Sequence, residues 1–196
     1  MQALRTIGTY PLVIKASEGT QGSGVFLVDD EARAISLLSQ MFQRGMRPLV
    51  QEYIKESHGR DIRVIVVRGR VVASMIRKAR GSEFRSNFHL GGSVEGIQLT
   101  KDQENVAIRA AGELGLDVAG VDMLDSASGP LLLEANSSPG LEGIERATGI
   151  NVAGRIVSSL RARVRESKEQ ESSLLSRDIR GADSTESRFD LDEASG

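Results

Sequence analysis

Apolar residues recur along this 196-residue chain in two spacings, which predict a mixture of β-strands and amphipathic helices. Short apolar runs bounded by turn residues predict strands over residues 12–14, 25–28, 47–56, 59–79 (a hairpin), 118–125 and 130–133. Apolar residues spaced three and four apart predict helices over residues 29–45, 100–117 and 147–168. Met41 and Phe42 are expected in the core on the first helix, and Val157, Leu160 and Val164 are expected to face inward on the third. Thr100 and Gln103 have the spacing of a capping box at the start of the second helix, whose predicted apolar face includes Leu114. The hairpin is predicted to turn at Arg68 and Gly69. The chain is long enough for one ordinary domain or for two small lobes that share a cleft.

The last two predicted strands carry polar side chains that their apolar pattern does not explain. Glu134 and Asn136 follow an apolar run, and residues two apart on a strand point to the same face. A turn centred near Ala127 and Ser128 places Asp122 of the preceding strand opposite Glu134. Cross-strand neighbours lie about 4.5 to 5.5 Å apart at Cβ, so the two carboxylates repel each other unless a positive charge neutralises them.

A divalent cation bound by Asp122, Glu134 and Asn136 satisfies this requirement. Oxygen ligands of these types suit Mg²⁺ or Mn²⁺, whereas the absence of cysteine and the presence of only two histidines argue against zinc. The alternative is that one carboxylate faces solvent and simply ends its strand.

A glycine-rich loop, GTQGSG, lies between the first two predicted strands and runs from Gly19 to Gly24. Its glycines allow backbone N–H groups to converge on an anion, and Lys15 at the end of the preceding strand adds a positive charge. The loop is not a Walker motif, because its lysine precedes the glycines. A phosphate-binding loop and an ordinary glycine-rich hairpin both fit this pattern.

Two further segments carry polar residues near predicted strand ends. The backbone N–H and C=O groups of residues 47–56 can hydrogen-bond to the edge of a purine base. The alternative is that this segment is a strand at the edge of a sheet, with Glu52 in solvent. In the hairpin, four charged side chains lie at the end away from the turn: Asp61, Arg63, Arg77 and Lys78. They are either exposed charges at a sheet edge or, if a cleft lies there, Arg77 or Lys78 stabilises phosphoryl oxygens.

The polar, glycine-rich segment 81–99 is predicted to be a loop that is long enough to be functional. It contains Arg85, Ser86, Asn87 and His89 close together. His89 is either a general base or a solvated or capping side chain.

Composition excludes several classes of function. Without cysteine there is no disulfide or thiol chemistry. No apolar run approaches the ~20 residues that span a bilayer, and the region after Met1 lacks a signal-peptide pattern, so we expect a cytoplasmic protein without membrane contact. Residues 1–165 hold 21 basic and 18 acidic side chains, a surplus too small for direct nucleic-acid binding. The polar residues from about Lys168 onward predict a disordered acidic tail.

Six motifs together resemble those of the ATP-grasp ligases, and in particular of the RimK-type α-L-glutamate ligases. The motifs are PLVIKASEGTQGSGV, VQEYIKE, RDIR at residues 60–63, FRSN, LDVAGVDML and LLLEANSSPGLEGIE. The likeness runs nearly continuously from about Pro11 to Arg165. The turn NSSPG is also similar to that of the D-alanine ligases.

The resemblance implies an α+β ATP-grasp fold in which two lobes, with antiparallel sheets and packed helices, clamp ATP between them. Residues 1–53 would form part of the nucleotide-binding lobe, residues 54–166 the C-terminal lobe with the metal site, and residues 167–196 the disordered acidic tail. Members of this family begin with a further N-terminal domain, and the segment before Tyr10 is too short for it. We therefore expect a shortened version of the family's architecture.

The resemblance also implies which residues bind ATP. They are Lys15, Gly19, Gln21, Gly22, Gly24, Glu52, Tyr53, Asp61, Arg85, Ser86 and Asn87. Within this set, Lys15 is implied at the phosphates, Glu52 and Tyr53 at the adenine, and Asp61 near the ribose. Residues 85–87 are implied to contact the nucleotide or the reaction intermediate.

By the same likeness, two Mg²⁺ or Mn²⁺ ions are held by Asp122, Glu134 and Asn136, and the catalytic residues are Arg77 and Asn136. In such ligases a carboxylate attacks the γ-phosphate of ATP to give an acyl phosphate, and an amine then displaces phosphate to form an amide. This chemistry requires charge neutralisation and positioning, and no nucleophilic side chain.

The implied substrates are L-glutamate and the C-terminal tail of a small-subunit ribosomal protein. Two alternatives stay open. One is a related ATP-grasp amino-acid ligase that acts on a carrier protein or a cofactor, and the other is a truncated nucleotide-binding or regulatory module without turnover. The pattern is also compatible with a homo-oligomer.

Overall fold

The computed structural model describes residues 2–16, 24–81, 83, 84, 86 and 92–186, with side chains between Leu4 and Gln170. In this part of the chain the helices are α1 (Gln2–Ile7), α2 (Glu31–Gln43), α3 (Lys101–Glu113), α4 (Glu142–Thr148) and α5 (Val152–Glu186). The strands are β1 (Leu12–Ala16), β2 (Val25–Val28), β3 (Pro48–Glu52), β4 (Arg60–Val67), β5 (Arg70–Lys78), β6 (Ser93–Gly96), β7 (Val118–Ser126) and β8 (Gly129–Asn136). The predicted α+β class is confirmed.

The first three strands form a small antiparallel sheet in the order β2-β1-β3. Its apolar face packs on α1 and α2 around one core, which consists of Leu4, Leu12, Ile14, Val28, Ala34, Leu38 and Met41. Because side chains alternate along a strand, Val13 and Lys15 lie on the opposite face of the sheet from Leu12 and Ile14. The small sheet therefore presents Lys15 away from its helices.

Helix α2 begins where Asp30 caps it, with the carboxylate accepting a hydrogen bond from the Arg33 backbone N–H at 2.8 Å. Met41 is buried as predicted, whereas Phe42, expected in the core, is exposed. Met41 and Phe42 lie three and four residues beyond the buried Leu38, so they flank it on opposite sides of the helix face. The buried Ala34 lies on the Met41 side, and Phe42 is therefore at the solvent-facing edge.

The other five strands form a large antiparallel sheet in the order β6-β5-β4-β7-β8, with β4 at its centre. Ile62, Val64 and Val66 of β4 lie opposite Met123, Val121 and Ala119 of β7, and all six belong to one apolar core. Helix α3 covers this face through its small side chains, which are Ala107, Ala110 and Ala111. The alternation of β4 then directs the intervening residues, including Asp61 and Arg63, to the opposite face.

The predicted capping box at the start of α3 is confirmed. The Thr100 hydroxyl accepts from the Gln103 backbone N–H, and the Gln103 side chain accepts from the Thr100 backbone N–H at 2.9 Å. The predicted apolar face is partly wrong, because Leu114 is exposed while Gln103 is buried with Nε2 donating to the Asp125 carboxylate. Residues 103, 107, 110 and 111 share one helix face. Leu114 continues that spacing, but it is the C-cap residue, one position beyond the end of α3 at Glu113.

The hairpin of β7 and β8 contains a β-bulge that decides which residues face each other. Met123 pairs with Leu132, but the next pair toward the sheet end is Asp122 with Glu134, so one extra residue lies on β8. The turn lies at Ala127 and Ser128, as predicted, since Ser126 pairs with Gly129. The predicted pairing of Asp122 with Glu134 is confirmed, but the bulge at Leu133 produces it.

One strand lies inside a segment predicted to be a loop. Within residues 81–99, β6 (Ser93–Gly96) pairs with β5 from Met75 to Lys78. Its sequence, SVEG, has a single apolar residue, so no apolar alternation indicates a strand.

Gly120 on β7 allows the turn after β8 to pack against the sheet. A Cβ built on Gly120 would lie 2.5 Å from Cβ of Pro139, which is closer than any real contact. We expect Gly120→Ala to lower the free energy of unfolding by about 1–3 kcal/mol, the usual cost of overpacking. Chemical denaturation monitored by circular dichroism measures the change.

The matched control is Gly112→Ala in α3, where an added Cβ meets no atom within 4 Å among the described residues. This substitution is expected to stabilise the protein by about 0.4–1 kcal/mol, because alanine favours the helix. Equal effects of the two substitutions would show that Pro139 does not constrain Gly120.

Helix α5 differs from the predicted end of the chain. It continues to Glu186, through most of the segment 167–196 predicted to be a disordered tail. The segment lacks proline and is rich in residues of high helix propensity, and a helix does not need the apolar residues whose scarcity suggested disorder. Val157, Leu160 and Val164 of α5, predicted to face inward, are exposed.

The chain divides into two compact units, Met1–Val152 and Ala153–Gly196, so both sheets belong to the first unit. The lobe boundary predicted after residue 53 falls between the last strand of the small sheet and the first strand of the large one. None of the helices in the described residues combines the length and apolarity needed to cross a membrane.

Candidate functional site

A row of charged side chains crosses the face of the large sheet that α3 leaves open. Asp61 and Arg63 lie two apart on the central strand β4 and so share this face. Asp61 pairs across the strands with Arg77 of β5, and Arg63 pairs with Asp122 of β7. Asp122 pairs in turn with Glu134 of β8. The sheet register therefore brings five charged residues from four adjacent strands onto one surface.

Four of these residues form a continuous ion-pair network. Arg63 donates from Nε to Oδ1 and from Nη2 to Oδ2 of Asp122, both at 2.7 Å. Arg77 donates from Nε to Oδ1 of Asp61 at 2.6 Å and from Nη2 to Oδ2 of Asp61. The same Nη2 of Arg77 donates to Oδ2 of Asp122 at 2.7 Å, which links the two pairs.

The network is largely shielded from water. The aspartate side chains are 7% exposed at Asp61 and 3% at Asp122, and the arginine side chains are 17% exposed at Arg63 and 13% at Arg77. Two-point contacts between guanidinium and carboxylate groups in such surroundings are strong and fix the geometry of both partners.

Burial and ion pairing act in opposite directions on the pKa values of Asp61 and Arg77. Burial raises the pKa of the Asp61 carboxyl, and hydrogen bonds and charge from Arg77 offset part of that rise. Burial alone would lower the pKa of Arg77, but its hydrogen bonds and attraction to Asp61 and then Asp122 raise that pKa above its ordinary value. Arg77 is therefore a permanent cation on this face.

The hypothesis that these charges are exposed at a sheet edge is wrong for Asp61, Arg63 and Arg77. Strand β4 lies at the centre of the sheet, and β5 lies between β4 and β6. Lys78, one residue further along β5, is partly exposed as that hypothesis expects, although β5 is not an edge strand, and it forms a surface pair with Glu95 at 2.7 Å. That pair lowers the pKa of the exposed Glu95 through the hydrogen bond and charge of Lys78.

Glu134 and Asn136 lie at the end of the edge strand β8, on the same face as Asp122. Glu134 is exposed, and Asn136 Nδ2 donates to Glu134 Oε1 at 3.0 Å. This bond orients the amide of Asn136 and leaves its Oδ1 as an acceptor. In the described part of the chain, no lysine or arginine pairs with Glu134.

The residues of this face fit a hard divalent cation by their donor chemistry. Asp122, Glu134 and Asn136 supply carboxylate and amide oxygens, and Glu134 is an accessible anion without an ionic partner among the described residues. The described residues contain no group of three or more His, Cys, Asp or Glu side chains placed to share a metal ion. A cation here would thus depend on the amide of Asn136 and on ligands from outside the chain.

Two arginines neutralise Asp122 in this structure. A metal ion was predicted to supply the positive charge opposite Asp122 and Glu134, because the hairpin of β7 and β8 was considered by itself. The pairing of β4 with β7 brings Arg63 beside Asp122, which hairpin spacing alone does not show.

The small sheet carries the residues predicted to bind phosphate. Lys15 pairs with Val25 on β2 and Leu49 on β3, and it is partly buried. Gly24 has a φ of +81°, and its carbonyl accepts a hydrogen bond from the Ala16 backbone N–H at 3.3 Å. The last residue of the glycine loop is thus hydrogen-bonded to the end of β1. The other predicted loop residues, Gly19, Gln21 and Gly22, lie outside the described residues.

The segment predicted to meet adenine follows the edge strand β3. Glu52 ends this strand and is exposed, as the alternative hypothesis of an edge strand predicted. The Tyr53 hydroxyl is hydrogen-bonded to Nδ1 of His58, and burial raises the pKa of Tyr53. The two aromatic rings are perpendicular, with centroids 6.1 Å apart. Tyr53 is thus held by its own chain.

Ser86 is hydrogen-bonded through its side chain to Asp61, which connects the segment after β5 to the charged row. Gly59, which precedes β4, lies against the same segment, since an added Cβ would be 2.8 Å from the Glu83 carbonyl oxygen. Arg85, Asn87 and His89 lie outside the described residues, so their predicted roles stay predictions.

A cavity of about 780 Å³ lies elsewhere in the first unit. It is lined by β2, by one face of α2 and by Arg80, Glu83 and Phe84. None of the predicted site residues in the described part of the chain lines it. The cavity therefore does not define the candidate site, which is the open charged face of the large sheet.

Arg63 is the main residue of this face to which the sequence argument gave no function. It lies two residues after Asp61 on a predicted strand, and this spacing already indicates a shared face. This spacing places Arg63 on the face of Asp61, but only the pairing of β4 with β7 shows that the partner of Arg63 is Asp122.

Comparison with known sequences supports one family. A family model described as RimK-like ATP-grasp domain matches residues 1–160. A probable alpha-L-glutamate ligase of Aeromonas salmonicida (strain A449) is 52% identical over 154 residues, which cover 79% of this chain and 52% of that protein. The protein of the same name from Alkalilimnicola ehrlichii is 50% identical over 165 residues, covering 84% of this chain and 55% of that protein. The chain thus spans about half the length of these relatives.

Solved structures show the same fold. D-alanine--D-alanine ligase from Bacillus anthracis complexed with ATP aligns with a TM-score of 0.62 and 26% identity, covering 83% of this chain and 56% of that chain. The ATP-grasp ligase PsnB complexed with minimal precursor, Mg and ADP aligns with a TM-score of 0.62 and 21% identity, covering 84% of this chain and 49% of that chain. Because its sequence matches the family model and its two antiparallel sheets match the fold, the chain belongs to the RimK-like ATP-grasp family.

Proposed function

We propose that this chain forms the nucleotide- and metal-binding part of an ATP-dependent carboxylate-amine ligase that uses L-glutamate. The observation that carries the proposal is the open face of the large sheet. There, carboxylate and amide oxygens from β7 and β8, which can ligate a metal ion, lie beside the buried guanidinium of Arg77. Membership of the RimK-like ATP-grasp family supports the reaction class. The relatives named probable alpha-L-glutamate ligase support glutamate as the substrate.

In the proposed reaction, a carboxylate oxygen of the acceptor attacks the γ-phosphorus of ATP. A bond forms between that oxygen and phosphorus, the bond to the β,γ-bridging oxygen breaks, and ADP leaves. The amine nitrogen of L-glutamate then attacks the carbonyl carbon of the acyl phosphate, inorganic phosphate leaves, and the amine loses a proton. The products are an amide, ADP and phosphate, and no side chain forms a covalent bond.

Arg77 is the residue best placed to bind a transferring phosphoryl group. Its Nε and Nη2 are engaged with Asp61 and Asp122, and no described residue accepts a hydrogen bond from its Nη1. The aspartates therefore fix the guanidinium, while its two Nη1 N–H groups, which no described residue engages, would donate to a phosphoryl oxygen. Preorganised donors of this kind stabilise charge that develops during transfer.

Asp122, Glu134 and Asn136 would hold the divalent cations, Mg²⁺ or Mn²⁺, up to two in number. When bound, such ions neutralise phosphate charge and align the nucleotide. The residues themselves supply the orientation: Asn136 is tied to Glu134, and Asp122 is fixed by its arginines.

The small sheet would bind the rest of the nucleotide. Lys15 and the glycine loop from Gly19 to Gly24 supply a cation and backbone N–H groups for the phosphates. The backbone after β3, at Glu52 and Tyr53, would meet the adenine, and Asp61 the ribose. Residues 85–87 would complete the site.

A small-subunit ribosomal protein is the proposed acceptor, through its C-terminal tail, and this acceptor would place the reaction in the cytoplasm. The PsnB complex with its minimal precursor illustrates an ATP-grasp ligase bound to a precursor. On this hypothesis the new bond joins the acceptor's C-terminal carboxylate to the glutamate amine.

The test is to incubate the 196-residue chain with ATP, Mg²⁺, radiolabelled L-glutamate and small-subunit ribosomal proteins. We expect ATP- and Mg²⁺-dependent label in one acceptor, with one ADP formed per glutamate. The control is the same acceptor shortened at its C-terminus, which should take up no label. ADP binding without incorporation into any acceptor would contradict the ligase proposal and favour a nucleotide-binding module.

A further inference from the structure

The carboxylate of Asp122 has one acceptor position that no described residue occupies. An ionised carboxylate offers about four lone-pair positions on its two oxygens. In this structure Arg63 takes one on Oδ1, and Arg63 and Arg77 together take both on Oδ2. The described contacts therefore leave one position on Oδ1 for a cation.

We propose that Arg63 is a positioning residue that competes with the divalent cation for Asp122, so that the cation binds tightly only together with a nucleotide. The inference rests on the proposed function, because it assumes that Asp122, Glu134 and Asn136 face a cation. It adds a role for Arg63 and a condition for metal binding.

The charges of the face support this competition. Three carboxylates, at Asp61, Asp122 and Glu134, lie beside two guanidinium groups, at Arg63 and Arg77. The net charge of this set is therefore −1, and its buried part, without Glu134, is neutral. A free divalent cation finds little net attraction here, whereas the phosphates of a nucleotide supply the missing negative charge.

The contact of Arg63 is specific to Asp122. Its guanidinium makes both of its described side-chain hydrogen bonds to this one carboxylate, and the two residues are direct cross-strand neighbours. Arg77 differs, because it also holds Asp61, and its Nη1 group has no acceptor among the described residues. Removal of Arg63 thus releases two acceptor positions of Asp122 and one positive charge while Arg77 still contacts that carboxylate.

The test is electron paramagnetic resonance of Mn²⁺ titrated into the 196-residue chain, with and without ADP. For the wild type we expect Mn²⁺ to bind more tightly with ADP than alone. For Arg63→Gln we expect Mn²⁺ alone to bind at least about tenfold more tightly than to the wild type, a change of the size that neighbours of metal ligands usually produce. A purely structural role of Arg63 would leave this affinity unchanged or lower it.

Arg60→Gln is the matched control, because Arg60 lies on the same strand but donates to the Glu56 carbonyl, and its Mn²⁺ affinity should equal that of the wild type. Arg63→Lys keeps the positive charge but makes a single-point contact with the Asp122 carboxylate. Its Mn²⁺ affinity should lie between those of the wild type and Arg63→Gln. This variant replaces Arg63→Gln in the test if Arg63→Gln does not fold. Affinity for Mn²⁺ alone that does not rise in either variant would overturn the inference, even where Mn²⁺ and ADP still bind together. Failure of the wild type to bind Mn²⁺ with ADP would overturn the proposed function as well.

Discussion

Glu134→Ala is expected to reduce metal-dependent ATP turnover by at least about a hundredfold, because it removes the accessible anionic ligand of the proposed cation site. The fold should be preserved. Glu134 is exposed, and its described hydrogen bond is the one from Asn136 Nδ2. The loss of this side chain also relieves repulsion with Asp122. Release of ADP in a coupled assay measures the turnover, and denaturation measures the stability.

The control for this prediction is Glu95→Ala. Glu95 is an exposed acid on β6, and it pairs across the strands with Ile76, which in turn pairs with Ile62 of the apolar face. It therefore lies on the face of the sheet away from the charged row. Its removal breaks one surface ion pair, and turnover should stay near the wild-type value. Turnover that survives Glu134→Ala, or falls equally in both variants, would overturn the metal assignment.

Arg77→Met is expected to lower the free energy of unfolding by about 3–5 kcal/mol, the usual cost of breaking a buried ion pair by removing one partner. Asp61 is 7% exposed, and its charged partner in the network is Arg77. The substitution leaves its carboxylate buried without a cation, although Ser86 still contacts it. Asp122 is affected less, because Arg63 continues to hold both of its oxygens.

Two further variants separate charge from packing at this position. Lys78→Met, the next residue of β5, removes a surface pair and should cost less than about 1 kcal/mol. Asp61→Asn combined with Arg77→Met removes the unpaired charge and should recover part of the lost stability. If the double variant is as unstable as Arg77→Met alone, the buried charge of Asp61 is not the cause. Urea denaturation of the four proteins provides the comparison.

Local patterns were sufficient to predict most of the helices and strands. Thr100 and Gln103 form the predicted capping box, and the hairpin of β4 and β5 turns at the predicted Arg68 and Gly69. These features depend on residues close in sequence, so the sequence contains the information needed. Strand β6 was missed because pairing with β5 stabilises it, and its own residues have little strand preference.

The candidate site was predictable only in part, because it depends on strand order. The pairing of Asp122 with Glu134 lies within one hairpin and was correctly predicted, although a bulge at Leu133 produces it. The contact of Arg63 with Asp122 joins residues 59 positions apart, and it requires β4 to lie next to β7. Spacing along the chain does not determine that order.

The roles of individual residues go beyond what a fold can show. Lys15, Glu52 and Tyr53 lie on or directly after strands of the small sheet, as the resemblance implies, but their contacts with a nucleotide are proposals. Gly19, Gln21, Gly22, Arg85 and Asn87 lie outside the described residues, so their roles rest on the likeness to the family.

The central claim is that nucleotide and divalent cation bind together on the open face of the large sheet. Equilibrium titration of the 196-residue chain with ADP, in the presence and absence of Mn²⁺, tests it most directly. We predict that ADP binding strengthens with Mn²⁺ in the wild type and that Glu134→Gln abolishes this gain. ADP affinity that is independent of Mn²⁺, or a gain that persists unchanged in Glu134→Gln, would contradict the claim.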